Sequence, residues 1–533
     1  MTLLTLHRLT HILGLVNNSP SEGLRPATCS RDPEILLNVK DGGPETDQSG
    51  SREQVAGRRN SNYKQSLINI GLIAILSLSS TFSAFSASTI VKTAFSPYSN
   101  NQLDELEKSF IQQINQSDSV VRVPLANQYI NHLAKTLARQ GQIPSPVFFI
   151  VKSNEINAFA GPGGYIGVNT QLILVSDNES ELAAVMAHEM AHVRQHHLYR
   201  MLEHEKQMQI PRLASMLASI ALGAINPALG TGAMMGSLTG FAQDNINFVR
   251  SNEKEADRIG IDMLIKSGLD PRGMAGFFKK MQQSTRYYYT DNIPAILRTH
   301  PMDDDRIAEA ENRSLHLIKK SYPDNLDYHL FKELIRNIVM QDSKQLIDYY
   351  QQDCKKHNSA SACQYGDVLA HLTANQYAKA KVLLMPLLNE DHDNLFYAIA
   401  MAQAEVGLGE FNNGILRLAE LLSNHPDNYA ATVEYAQALM AGNKSEQAAS
   451  ALLKASRVFK YDLPICQQLA RAQAASHHKD YAYFTLAQCH LLQGEHRAAM
   501  SKLKIAKTLA TKDPDLTARI NAKIDEIKME NNK

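Results

Sequence analysis

The chain has 533 residues, a formal net charge of zero from 54 Lys+Arg against 54 Asp+Glu, and 44% hydrophobic residues. That length exceeds what one hydrophobic core organises, so two or more domains are predicted, and the composition is globular rather than disordered. Proteins that grip duplexes through phosphates carry a basic excess; the balance here predicts no nucleic-acid partner.

Residues 1–54 are polar, turn-rich and without periodicity. Residues 55–86 then follow the plan of a secretory signal peptide. Arg58, Arg59 and Lys64 form a basic head, Leu67 to Leu78 an apolar stretch, and the small residues Ala84 and Ser86 suit the approach to a cleavage site. Export is therefore predicted, with a mature chain from Ala87. The segment starts late, and no methionine lies between Met1 and Met186. Initiation at an internal non-ATG codon such as that of Val55 would explain this, leaving 1–54 outside the native protein. A long extension with an uncleaved anchor is the alternative.

Residues 98–142 carry apolar residues at helical spacing. Residues 146–173, "PVFFIVKSNEINAFAGPGGYIGVNTQLI", read as strands broken by a turn at Gly161–Gly164. A helix is predicted from Ser180 through "SELAAVMAHEMAHVRQHH", with "LAAVMA" giving it an amphipathic phase. Residues 213–243 contain no charge, but Asn226-Pro227 and several glycines interrupt them. They predict either a packed helical hairpin or a flap facing a membrane surface or gating substrate, not a straight spanning helix.

Beyond about 340 the chain becomes Ala/Leu-rich. "AQA" at 402–404 recurs as "AQA" at 436–438 and "ARA" at 470–472, and Gly409 and Pro426 mark a turn and a helix end. A 34-residue period of this kind resembles tetratricopeptide repeats, degenerate here because the chain has no tryptophan; residues 483–510 fit out of strict phase. Such arrays present a concave face to protein segments. Cys354, Cys363, Cys466 and Cys489 all lie in this region and are compatible with two disulfides, of which 354–363 and 466–489 are the close pairs.

His188 and His192 stand at i and i+4, so both imidazoles leave one helix face a turn apart and can converge on a zinc ion. Glu189 lies round the helix from His188, placed to take a proton from the attacking water rather than to ligate. His196 is about 12 Å along the axis from His188, beyond reach of the same ion. An HExxHxxGxxH arrangement is excluded, because Gln195 and Leu198 occupy the required Gly and His positions. His196 and His197 are expected at the surface, on the last helical turn. The third ligand is sought in "NEKEADRIG", where Glu253 can ligate and Asp257, one turn on, can orient a ligand histidine.

HEMAH, then NEKEAD about 60 residues later, with "NAFAGPGGYIGV" before and "RTHP" after, resembles the zinc peptidase family of the CAAX prenyl protease and the mitochondrial Oma1 protease. With the signal peptide and repeats, the likeness spans about 95–533. It implies a zincin-type α+β metalloprotease domain with a small sheet, followed by an all-α solenoid, mainly α overall. Its expected organisation is a signal peptide over 55–86, a protease domain over 87–335 and a repeat domain over 340–533. The resemblance also implies one zinc ion on His188, His192 and Glu253, with Glu189 as general base. It further implies that His300 can occupy the fourth zinc position and hold the enzyme latent, and that Arg306 suits a developing oxyanion. By residue pattern alone His300 is a loop histidine before a proline. Asn157 to Gly164 would supply an edge strand that pairs with substrate backbone. Periplasmic location is implied as well, with outer-membrane β-barrel proteins as substrates and the outer-membrane assembly machinery bound by the repeats. Two competing readings remain: a chaperone-like repeat module with a latent zinc site, and a structural zinc protein.

Overall fold

The protein is described here from a computed structural model covering residues 100–141, 146–204, 243–287, 294–315, 321–352, 354 and 359–531. The predicted signal peptide and the uncharged segment 213–243, but for its last residue, lie outside the described residues. Among the described residues no helix is long and apolar enough to cross a membrane.

Two helices, α1 (Asn100–Gln116) and α2 (Pro124–Gly141), precede a three-stranded sheet. Its strands are β1 (Val147–Val151), β2 (Ala158–Ala160) and β3 (Tyr165–Asn169). The order is β1-β3-β2, with β1 parallel and β2 antiparallel to β3, so β2 is an edge strand within the expected Asn157–Gly164 segment. The β2–β3 turn needs left-handed backbone at Gly163 (φ 74°) and Gly164 (φ 80°), which glycine adopts without steric penalty. The strand reading overruns at its end: Thr170–Val175 forms helix α3. A short apolar run such as TQLILV fits a buried helix as well as a strand, and periodicity does not separate them.

Helix α4 (Glu179–Arg194) starts at Asn178, whose side chain accepts the Glu181 N–H at 3.0 Å. It is not amphipathic as expected: every residue from Glu181 to Ala191 is buried. Neighbours enclose it on all sides, namely α2, β2, α6 (Gln243–Ser267) and α7 (Arg272–Tyr287), and its alanines permit their close approach. A short α5 (His197–His204) follows α4, and α8 (Ala295–Thr299) and α9 (Asp304–Ser314) complete this half of the protein.

Helical hairpins make up the rest. They are α10 (Leu326–Met340) with α11 (Ser343–Gln352), α12 (Ala360–Thr373) with α13 (Tyr377–Glu390), and α14 (Leu395–Gly407) with α15 (Phe411–Asn424). Then come α16 (Tyr429–Ala441) with α17 (Ser445–Val458), α18 (Leu463–Ala475) with α19 (Lys479–Leu492), and finally α20 (His496–Leu509) and α21 (Pro514–Asn531). The 34-residue period is written in backbone chemistry. A left-handed residue closes each hairpin turn at Gln341, Asn375, Gly409, Asn443 and His477, and a side chain caps each first helix at Asn325, Ser359, Asn394, Asn428 and Asp462. The out-of-phase unit at 483–510 is a hairpin of its own, in which α19 turns into α20 at left-handed Gly494 (φ 73°), so α19 pairs with a helix on either side.

The array and the half that precedes it share one continuous apolar core. Tyr129 stacks on Phe331 at 4.4 Å, and Tyr328 Oη and Lys332 Nζ donate to the Ser176 carbonyl at the end of α3. The far end of the array curls back: Asn115 Nδ2 donates to the Leu492 carbonyl at 3.0 Å, and Lys108 pairs with Glu530 at 2.8 Å. Cys354–Cys363 and Cys466–Cys489 are both bridged, each with Cα atoms 5.7 Å apart, tying neighbouring helices of the array.

One buried acid in the array sets a pH dependence. Burial of Glu434 on α16 raises its pKa from 4.5 to about 6, a hydrogen bond with Gln403 offsetting part of the effect. Below pH 4.5 it is protonated whether folded or unfolded. As pH rises from 4.5 through 6 the unfolded chain loses the proton first, so stability falls across that window, by about 2 kcal/mol once complete. Glu434→Gln is expected to raise the urea midpoint at pH 7.5 but not at pH 4.5; a shift equal at both would refute this.

Candidate metal centre

Two helices and one loop build the centre. Helix α4 carries His188, Glu189 and His192, α6 carries Glu253 and Asp257, and the turn after α8 carries His300. His188 Nε2 lies 3.0 Å from His192 Nε2 and 3.4 Å from Glu253 Oε2, and His192 Nε2 lies 3.4 Å from Glu253 Oε1. His300 Nδ1 is 3.3 Å from His188 Nε2 and 3.1 Å from Glu253 Oε1. All four donor atoms fall within 4.8 Å of one another.

These spacings fit a single ion. A tetrahedron with arms of about 2.0–2.1 Å has edges of about 3.3–3.4 Å, and the separations given above run from 3.0 to 3.4 Å, with the whole set inside 4.8 Å. Unprotonated ring nitrogens this close repel unless a cation lies between them. Burial opposes a charge on His188, yet hydrogen bonds with Asp257 and Glu253 raise its pKa to about 10. Burial, then the charge of His188, pushes His192 well below its ordinary value. Burial also disfavours ionised Glu253, but the His300 charge and the His188 hydrogen bond hold it well below the usual carboxylate range. A neutral imidazole and an ionised carboxylate are the forms a metal requires.

Asp257 accepts from His188 Nδ1 at 2.9 Å, turning Nε2 toward the cluster as expected. Arg306 clamps Asp257 from behind, Nε to Oδ2 at 2.7 Å and Nη2 to Oδ1 at 2.8 Å. Its Nη1 reaches Glu253 Oε2 at 3.0 Å and the Pro301 carbonyl at 2.7 Å, and the guanidinium lies 4.9 Å from the Phe278 ring centre. An oxyanion partner needs donors aimed at substrate, whereas those of Arg306 engage the carboxylates behind the ligands. Glu189 is buried; its Oε1 makes no hydrogen bond among the described residues and lies 3.3 Å from His300 Nε2.

The His300 segment also lies beside the edge strand: the Ile296 N–H donates to the Ile156 carbonyl at 3.1 Å, two residues before β2. Beside His188 and His300 the remaining space is a cavity of 20 Å³ walled by Phe277, Phe278, Met281 and Met302, room for about one water molecule.

His197 departs most from expectation. It is 4% exposed, its Nδ1 lies 2.9 Å from His192 Nδ1, and its Nε2 lies 3.2 Å from Glu255. Helical phase places residue 197 away from 192, but α4 ends at Gln195. His196 then takes left-handed backbone (φ 54°) and folds His197 back over His192. Nothing at position 196, which is not glycine, signals that turn.

A buried HExxH helix completed by a carboxylate from a second helix defines a metallopeptidase. Residues 124–314 match the model of peptidase family M48. The chain is 32% identical over 468 residues to the Beta-barrel assembly-enhancing protease of Escherichia coli (strain K12), covering 86% of this chain and 95% of that one. It is 30% identical over 423 residues to the protein of the same name from Yersinia pestis, 79% of this chain and 87% of that one. Metalloendopeptidase OMA1, mitochondrial, from Bos taurus is 29% identical over 168 residues, 30% of this chain and 31% of its own. The chain belongs to peptidase family M48 and is a metalloendopeptidase whose activity depends on a metal ion.

Proposed function

We propose that this protein is a periplasmic zinc endopeptidase, with one ion per chain, that acts on outer-membrane β-barrel proteins during their assembly and degrades misassembled ones. The observation that carries the catalytic part is the convergence of one donor atom each from His188, His192, Glu253 and His300 to within 4.8 Å of one another. The names of relatives that match most of its length support the substrate class. A zinc ion there would supply Lewis acidity, polarising the scissile carbonyl and easing deprotonation of water. Glu189 takes the proton of the attacking water and delivers it to the leaving amine. Asp257 holds His188 in register, and Arg306 braces Asp257 and Glu253. The free edge of β2 pairs with extended substrate backbone once the His300 segment has moved.

Latency follows from the same geometry. A catalytic zinc site keeps one position open, and His300 fills the fourth corner here. His300→Ala is expected to raise casein or β-casein-peptide hydrolysis at least tenfold with the metal content unchanged. Equal activity in variant and parent would show that His300 does not restrain the enzyme.

The array from Asn325 onward is read as tetratricopeptide repeats, with the domain boundary near 320, about 20 residues earlier than the helical texture suggests. Its concave face closes on α1 around a cavity of 990 Å³ whose walls include Lys108, Arg457, Arg519 and Glu526, a place for substrate or assembly-machinery segments. Trapping in cells with Glu189→Gln tests the substrate class: co-purified β-barrel proteins are expected, and their absence would leave only the peptidase. If Glu189→Gln restores a deletion strain fully, the chaperone-like reading is the better one.

A further inference from the structure

We propose that His197 and Glu255 are positioning residues of the metal centre, holding His192 as Asp257 and Arg306 hold His188. This rests on the reading of His192 Nε2 as a metal ligand. If Nε2 ligates, the one ring proton of His192 sits on Nδ1, and the atom 2.9 Å away to receive it is His197 Nδ1. His197 must then carry its own proton on Nε2, where the Glu255 carboxylate stands 3.2 Å away to accept it. A single assignment of protons satisfies both contacts and leaves His192 Nε2 free for the ion.

The outer end of this chain of bonds is anchored. Glu255 also accepts from Arg200 at 3.2 Å and from Gln195 Nε2. Each ligand histidine of α4 therefore leads to a carboxylate of α6 that an arginine holds: His188 to Asp257 and Arg306, His192 through His197 to Glu255 and Arg200. The difference is the interposed imidazole, which spans the extra distance and is itself buried. A ligand histidine whose second nitrogen is so fixed is oriented and made more basic, an effect worth about 10–100-fold in metal affinity.

The test measures zinc dissociation constants by chelator competition on the full chain, together with the melting temperature of the zinc-stripped protein. His197→Leu is expected to weaken zinc binding about 10–100-fold. His197→Asn, which keeps an acceptor near the Nδ1 position, is expected to recover most of that loss, and Glu255→Gln to lose less than His197→Leu. A merely packing role would lower the melting of the stripped protein without moving the zinc constant, and Asn would not rescue it. A zinc constant for His197→Leu within twofold of the parent overturns the proposal; should that variant not fold, an unchanged constant in both His197→Asn and Glu255→Gln, coupled with a stripped protein that melts lower, does the same. His188→Ala separates the two levels. If it still binds zinc tightly, the metal-centre reading falls and this proposal with it; if it loses zinc while His197→Leu does not, this proposal alone falls.

Discussion

Glu189→Gln is expected to fold, to bind zinc with unchanged affinity and to hydrolyse peptides at least about a hundredfold more slowly, up to about ten-thousandfold. The amide fills the same volume, and the carboxylate it replaces contributes no donor atom to the four-residue cluster. What disappears is the proton acceptor beside the attacking water. The loss should fall on kcat, since substrate pairing along β2 does not involve this side chain. Introduced into the His300→Ala background, the substitution should silence the enhanced hydrolysis too. Hydrolysis persisting within tenfold in the double variant would mean that another group serves as base.

Arg306→Leu is expected to destabilise the protein by about 3–5 kcal/mol and to weaken zinc binding together with it. The guanidinium is 2% exposed and engages two carboxylates, so its removal leaves Asp257 and Glu253 buried with only histidines to offset their charge. Asp257 would then orient His188 less firmly, at a cost of about tenfold or more in metal affinity. Urea unfolding and chelator competition read both effects. A folded variant with normal zinc affinity and a reduced kcat would instead restore the oxyanion role implied by family resemblance.

Much of the centre is legible in the primary structure because its spacing is helical. His188 and His192 at i and i+4 share a face, as the donors observed 3.0 Å apart bear out, and Glu253 and Asp257 sit at the same interval on α6. The period of 34 residues is equally plain, since alanines recur wherever helices touch. Harder to read are features that depend on which chain segment lies opposite. The amphipathic phase expected for α4 vanishes because helices and a strand surround it, and burial on all sides erases the periodicity that one-sided burial creates. Hairpin turns at Gln341, Asn375 and Asn443 use left-handed polar residues, so the first repeat carries no glycine to announce it.

By itself, then, the sequence determined the fold class, the 34-residue period and which candidate ligands lie within one helical turn of each other, all consequences of local periodicity. Only the tertiary structure decided how the cluster closes. His300 and Arg306, 112 and 118 residues from His188, reach it because α9 packs against α6 and α7 and because α8 is tied to the Ile156 carbonyl beside β2. His197 reaches it through a single left-handed residue that reverses the chain. Contacts at that range depend on where whole elements come to rest, and local spacing carries no record of it.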